Sequence, residues 1–152
     1  MEKTNKSLFG LAGWLEIRDN KTKELLLVTP NAIVNLGLAQ AAKLLGDVAG
    51  TVLTKAWVGS GSTAVENDDD AIETPLGAAV TPSFSQVTTL VANDTAQFVS
   101  VHTAGAGGWA VKEYGIFTSD DVMFNHVVFS VINLAQANEL EFTYKVQVQR
   151  VI

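Results

Sequence analysis

The sequence predicts a mainly β fold of the α+β class: an antiparallel β-sandwich or barrel-like domain with one amphipathic helix near residues 32–46. Three observations lead to this prediction. Short β-type segments recur after residue 50 at the spacing usual in sandwiches and barrels. The last segment, from residue 139 onward, alternates between apolar and polar residues. A hairpin, a helix and a run of strands follow in that order, which favours an antiparallel sheet over a doubly wound one.

The first residues of the chain differ in character from the rest. Residues 1–7 are polar and show no period, so we expect residues 1–9 to form a flexible N-terminal arm that needs a partner to become ordered. The remaining residues contain no visible internal repeat, and a chain of 152 residues is long enough for one independent core. We therefore assign residues 10–152 to a single β-rich domain.

A β-hairpin is the first predicted element. Residues 14–18 alternate, with Leu15 and Ile17 on one face. Turn residues fill positions 19–22, and the apolar run 25–28 follows them. An alternating segment, a turn and a second apolar segment together are typical of two antiparallel strands.

The helix over residues 32–46 is predicted next. Asn31 has the side chain of a good N-cap, and Gly46 suits the C-terminal end. Leu36 lies on the polar side of the predicted helix, where it is either an isolated surface leucine or a subunit contact. The predicted buried stripe, at helical spacing, consists of Ile33, Val34, Gly37, Leu38, Ala41, Leu44 and Leu45.

Six more strands complete the predicted fold, separated by loops at 59–73, 103–108 and 133–138. The last strand has the clearest pattern, with one face buried and the other solvated. The six strands are Thr51 to Val58, Ser83 to Val91, Gln97 to His102, Ala110 to Phe117, Val122 to Ser130 and Glu139 to Ile152.

Composition excludes several classes of function. Ten Lys+Arg against 16 Asp+Glu give a net charge of −6, so the chain lacks the basic face that binds nucleic acid. Hydrophobic residues make up 47% and charged residues 17%, which excludes intrinsic disorder. No stretch of about 20 apolar residues is present to span a membrane. There is no cysteine, hence no disulfide and no thiolate site. We expect neither nucleic acid nor membrane as a partner.

A glycine-rich segment followed by acids raises the question of a phosphate or metal site. Residues 59–63 lack the lysine of a P-loop and the third glycine of a dinucleotide fingerprint. The acids miss the glycine and glutamate positions of a helix-loop-helix calcium site. We predict a flexible acidic surface loop with no cofactor and no metal ligand; an irregular cation site completed by other loops is the alternative. The acids are Glu66, Asp68, Asp69, Asp70 and Glu73.

Two histidines are the remaining candidates for chemistry. His102 and His126 each lie in a predicted strand, and Glu113 is a carboxylate that could approach one of them. No nucleophile motif is present, and two histidines are too few for a zinc site. We therefore predict that both face a half-buried sheet or a subunit boundary, and that the chain has no catalytic residue; a hydrolase using one of them is the alternative.

Three tryptophans, Trp14, Trp57 and Trp109, are expected to be core residues. Trp57 and Trp109 lie beside glycine-rich segments, so a stacking platform for sugars or bases is the alternative.

Several weaker signals occur in a characteristic order. An Asn-rich amphipathic segment comes first, and a long alternating strand closes the chain. In this order and spacing the sequence resembles a widespread group of small virion structural proteins of tailed bacteriophages, over about residues 8–150. The segments that carry the resemblance are Trp57 to Thr63, Glu73 to Gly77, Val111 to Phe117 and Met123 to Phe129.

The resemblance implies a non-enzymatic role in a virion. One branch resembles head-decoration or cement proteins, which sit as homotrimers on the outside of the capsid and contact the major capsid protein. The other looks like tail-fibre or baseplate modules, some of which recognise host-surface carbohydrate. A chain of 152 residues without heptads or a second domain favours the decoration branch. The pattern carries no catalytic residue to transfer.

Overall fold

The structure is a computed structural model that describes residues 8–46 and 52–151. Two five-stranded antiparallel sheets and one short helix form the fold, as predicted. No helix within the described ranges has the length and apolarity needed to cross a membrane. The elements are β1 Leu8–Asp19, β2 Leu25–Pro30, β3 Ala32–Ile33, α1 Asn35–Leu45, β4 Leu53–Gly59, β5 Pro75–Val80, β6 Ser83–Val87, β7 Thr95–Thr103, β8 Trp109–Thr118, β9 Met123–Leu134 and β10 Glu139–Val151.

The first sheet has the strand order β2-β1-β10-β7-β6. The predicted hairpin forms its β1–β2 edge, and both Leu15 and Ile17 are completely buried. Strand β1 already begins at Leu8, so the last two residues of the predicted arm pair with β10, while residues 1–7 lie outside the described part of the chain. Along β10 the predicted apolar residues are buried through Val146, but Thr143 and Gln147 on the face predicted to be solvated are buried as well, and Val148 is 54% exposed.

The second sheet has the strand order β3-β9-β8-β4-β5. Its two edge strands were absent from the sequence prediction. Strand β3 is only two residues long and is defined by pairing with Asn125 and His126, which no local pattern reveals. Strand β5 contains Pro75 and Gly77, residues that are tolerated at sheet edges but are unfavourable in a central strand.

Two predicted strand ends also require correction. Strand β6 ends at Val87 rather than at residue 91, because the Asp94 carboxylate accepts the backbone N–H groups of residues 89, 90 and 91 and folds them into a turn. Strand β9 continues to Leu134 rather than ending at residue 130, because its far end pairs with Trp109 on β8.

The helix is shorter than predicted, and Asn31 is not its N-cap. Val34 occupies the N-cap position with extended backbone and no side-chain hydrogen bond. Its N–H donates to the carbonyl of Phe124 at 3.2 Å, while Asn31 donates its N–H to Gly13 at 3.2 Å. The chain therefore remains sheet-like until residue 34. Gly46 does close the helix, as predicted.

The predicted buried stripe of the helix is only partly correct. The helix packs closely on β9 at Gly37, where an added methyl would meet the carbonyl of Phe124. This contact turns Gln40, which is 4% exposed, towards the protein. Leu36 is 39% exposed, consistent with either interpretation given to it. The stripe residues that are exposed instead of buried are Leu38, Leu44 and Leu45.

The main hydrophobic core lies between the two sheets. Its centre is a parallel aromatic stack of Tyr114 on β8 and Phe142 on β10, with ring centroids 5.1 Å apart and planes 6° apart. A second apolar cluster is separate from this core and consists of Val34, Ile72, Phe117 and Met123, with Trp57 packed against it. Residue 72 belongs to the predicted surface loop, so that loop is packed against the second sheet.

Candidate functional site

The loop that joins β4 to β5, residues 60–74, is called the acidic loop below. It is held on the second sheet by the carboxylate of Glu113, which β8 presents and which is completely buried. One oxygen, Oε1, accepts the N–H groups of Gly61 at 2.9 Å and Thr74 at 2.8 Å. The other, Oε2, accepts the N–H of Glu73 at 3.0 Å and lies 2.9 Å from Nε2 of His126. Glu113 thus binds both ends of the acidic loop.

The glycines of this region are required by the close approach of the loop to Glu113. A methyl group added to Gly61 would lie 2.6 Å from Oε1 of Glu113. One added to Gly59 would meet the same oxygen and would lie 2.6 Å from the carbonyl oxygen of Thr74. Contacts this short are essentially never seen for a real Cβ atom. The Gly-Ser-Gly segment therefore packs against a carboxylate of the protein itself and not against a phosphate.

His126 connects Glu113 to the outer part of the acidic loop. Its Nδ1 lies 2.7 Å from Oδ2 of Asp69 and its Nε2 lies 2.9 Å from Oε2 of Glu113. Ionised carboxylates can only accept hydrogen bonds, so both contacts are satisfied when each ring nitrogen carries a proton. We call Glu113, His126 and Asp69 together the histidine bridge, because the imidazole ring lies between the two carboxylates.

Both carboxylates of the histidine bridge have a lowered pKa. Burial disfavours the charged form of Glu113, but the hydrogen bonds from Thr74, His126, Glu73 and Gly61 outweigh it and lower the pKa of this carboxyl. Burial likewise opposes ionisation of Asp69, yet the hydrogen bond from His126, with smaller help from the loop backbone, lowers its pKa. Both groups are therefore held as anions.

An apolar contact completes the attachment of the acidic loop. Ile72 is 7% exposed and packs with Val34 and Met123 in the second cluster. Trp57 lies against the edge of Phe117, with centroids 5.3 Å apart. The acidic segment was predicted to be a flexible surface loop; its charged side chains are largely exposed, but its backbone is anchored by Glu113, the histidine bridge and Ile72.

The chemistry of this region is limited by its hydrogen bonds. Both nitrogens of His126 face carboxylates, so neither is free to take a proton from a nucleophile. The hydroxyl of Thr63, beside the same cavity of about 250 Å³, donates to Glu73 at 2.9 Å instead. Among the residues that the structure describes, no group of three or more histidine, aspartate or glutamate side chains is arranged to hold a metal ion.

The other histidine, His102, lies apart from the acidic loop, on β7 of the first sheet. It is 2% exposed, packs edge-on against Phe142 at 5.3 Å and lies 3.0 Å from the hydroxyl of Ser100. Burial lowers the pKa of His102 to about 4, so this ring is neutral near pH 7. Both histidines were predicted to face a half-buried sheet or a subunit boundary; both are instead enclosed within the protein.

The tryptophans do not form a common platform. Trp14 lies on the first sheet with the Lys145 ammonium 5.9 Å from its ring, and Trp57 lies beneath the acidic loop. Trp109 packs near Gly77 of β5. No two of these rings make an aromatic contact within residues 8–46 and 52–151.

A second feature is an apolar groove of about 710 Å³ beside α1. It is bordered by the C-terminal half of α1 and by the start of β4, and strands β1, β6, β7 and β10 of the first sheet supply the opposite wall. Its polar side chains are few: Gln86, Asn93 and Asp94. Six of its lining residues are large hydrophobic side chains that are substantially exposed: Leu38, Leu44, Leu45, Val52, Phe84 and Val148.

Comparisons with family models, with curated proteins and with solved structures found no match to this chain.

Proposed function

We propose that this protein is a non-enzymatic virion structural protein, a capsid-decoration protein that binds the outside of a bacteriophage shell as a homotrimer and stabilises it. Its partners are further copies of itself and the major capsid protein. A protein that binds the assembled shell in preference to its parts stabilises the shell by mass action at every copy.

The observation that carries this proposal is the apolar groove. Soluble monomers rarely expose large contiguous apolar surface, and such surface usually marks an interface. Here Leu45 is 80% exposed and Phe84 61% exposed, and among the described residues Asp94 is the only charged side chain that lines the groove. Interfaces of permanent oligomers are apolar and poor in charge, which this surface matches.

The contacts of the acidic loop provide a second argument for the same proposal. The segments that carry the resemblance to phage structural proteins meet at one carboxylate: the glycine segment and the end of the acidic loop donate to Glu113 of β8, and His126 of β9 contacts it. The ordered pattern thus has a structural cause, which is the attachment of the loop. A catalytic cause is disfavoured, since both nitrogens of His126 are occupied.

Sedimentation of the purified protein, alone and with empty expanded shells, tests the proposal. We expect a trimer that pellets with the shells. A strict monomer that stays in the supernatant would refute the decoration role. Sedimentation with isolated tails but not with heads would favour the alternative, a tail-fibre or baseplate module.

A pair of variants tests the role of the groove. Phe84→Ser removes an exposed aromatic ring from the groove, whereas Val131→Ser removes an apolar side chain that is 47% exposed on β9 and does not line it. We expect Phe84→Ser to shift the sedimentation profile towards monomer and Val131→Ser to leave it unchanged. Equal profiles for both variants would show that subunits associate through another surface.

A further inference from the structure

We propose that the histidine bridge is a pH-dependent contact. When His126 is doubly protonated, it holds the outer part of the acidic loop, residues 62–71, on the second sheet. The proposal concerns the loop itself and does not depend on the virion role.

The two ends of the bridge differ in their access to water. The side chain of Glu113 is completely buried, and that of His126 is 5% exposed. The side chain of Asp69 is 24% exposed. Water can therefore replace the ring as a partner for Asp69, but not for Glu113. Asp69 is the end of the bridge that can open.

Loss of one ring proton leaves a single N–H for two carboxylates. The buried Glu113 retains it, because water cannot replace a donor lost at Oε2, whereas the partly exposed Asp69 can be hydrated. Nδ1 then presents a lone pair to Oδ2 of Asp69 across 2.7 Å, and this contact becomes repulsive. Asp69 is expected to turn towards water and to carry the outer loop with it.

The inner part of the loop remains attached in this state. The N–H groups of Gly61, Glu73 and Thr74 still donate to Glu113, and Ile72 remains in its apolar cluster. The opening is therefore local. The amide of Glu66 is the best reporter, since it donates to Oδ2 of Asp69 at 3.0 Å.

The titratable groups that face His126 are all acids. They are Glu113 from β8 and Asp69 and Glu73 from the acidic loop. Glu73 lines the cavity of about 250 Å³ that His126 also lines. Strand β3, paired with β9 at this point, contributes only Ala32 and Ile33, and the nearest lysine on β4, Lys55, is bound to Asp121 at 2.6 Å. No cation competes with the ring for these carboxylates in the described part of the chain.

Acid opens the same contact by another route. Because the pKa of Asp69 is lowered in the folded protein, its ionised form stabilises the folded loop at any pH above the pKa of an unfolded aspartate. This contribution is lost as the pH falls through the lowered pKa. The loop is thus expected to be closed over an intermediate pH range and to open on both sides of it.

Nuclear magnetic resonance tests the proposal directly. We expect long-range ¹H–¹⁵N spectra of the wild-type protein to show protons on both ring nitrogens of His126 while the loop is closed. While the ring carries both protons, the Glu66 amide of the wild-type protein should exchange about tenfold more slowly than that of His126→Gln at the same pH, which is the effect of one hydrogen bond to a charged group, and this difference should disappear as the ring loses a proton.

Two further variants keep the test decisive if His126→Gln folds poorly. Asp69→Asn removes the carboxylate that the ring binds, and Asp68→Asn removes an equal charge from an exposed neighbour. We expect Asp69→Asn to abolish the pH dependence of loop exchange and Asp68→Asn to preserve it. A singly protonated ring while the loop is closed, or equal effects of the two variants, would overturn the proposal.

Discussion

Replacing Glu113 by glutamine is the most informative single perturbation, because it preserves the shape of the side chain and removes its charge. The carboxylate accepts four hydrogen bonds, two on each oxygen. A glutamine has one oxygen and one NH₂ group. If the NH₂ group faces Gly61 and Thr74, two backbone N–H donors lose their acceptor; if it faces Glu73 and His126, the Glu73 N–H loses its acceptor, while Nε2 of a neutral ring can accept from the NH₂ group. The variant thus loses one or two hydrogen bonds in a site that is completely buried.

The expected cost follows from these contacts. A hydrogen bond to a charged group contributes roughly 1.5–3 kcal/mol, so losing one or two costs about 2–6 kcal/mol. When the ring of His126 is protonated, removing its buried partner costs a similar amount, about 3–5 kcal/mol, because the charge of the ring is left uncompensated on that side. With about 2–4 °C per kcal/mol for a chain of this length, the melting temperature should fall by on the order of 10 °C.

Chemical denaturation of Glu113→Gln and of Asp68→Asn provides the assay. Asp68 is an exposed acid of the same loop, so its variant controls for loss of charge alone and should change the free energy of unfolding by less than about 0.5 kcal/mol. If Glu113→Gln is destabilised by no more than this control, the carboxylate does not anchor the loop and the reasoning is refuted.

Three other predictions concern single contacts. Gly61→Ala places a methyl 2.6 Å from Oε1 of Glu113 and should cost about 1–3 kcal/mol, whereas Gly105→Ala, whose nearest neighbour is 3.6 Å away, should be close to neutral; thermal melts compare the two. Asn125→Ala removes the Oδ1 that accepts a buried backbone N–H of β8 at 2.8 Å and should cost about 1–3 kcal/mol in urea unfolding. The pKa of His102 is lowered from 6.5 to about 4, so the unfolded chain binds a proton that the folded one does not, and stability should decline by about 2–3 kcal/mol as the pH falls from 6.5 to 4. His102→Gln should remove that part of the decline; an unchanged pH profile would contradict it.

The strands were predictable because they depend on local pattern. In β10, burial of Leu140, Phe142 and Tyr144 follows from alternation alone, since successive side chains of a strand point to opposite faces. The β1–β2 hairpin likewise follows from a short turn between two apolar segments.

The helix shows where local pattern fails. A helical wheel places Leu38 and Leu45 on the same face as Gly37, but the helix packs on β9 through the glycine, where the backbones come closest. That contact fixes the rotation of the helix and leaves the leucines beside the groove. Its start is likewise determined by pairing of β3 with β9, a contact between residues far apart in the chain.

The candidate site was only partly visible in the sequence. The sequence left open that Glu113 approaches one of the histidines. It also marked the glycines and the acids as unusual, but it did not indicate that they attach a loop to the sheet. The one signal that could have joined them is that Glu113 alternates with Val111, Gly115 and Phe117 on one face of the predicted strand, since a carboxylate buried on such a face requires several donors.

By itself, the sequence determined the class of fold, most of its strands and the absence of cysteine, because these depend on composition and on periodicities of a few residues. Only the tertiary structure decided that Glu113 gathers the acidic loop, that His126 lies between two carboxylates, and that a row of leucines borders an open groove. Asp69 and His126 are 57 residues apart in the chain, and Gly61 and Glu113 are 52 apart. Such contacts arise from the packing of a loop on a sheet, and no local period in the sequence encodes them.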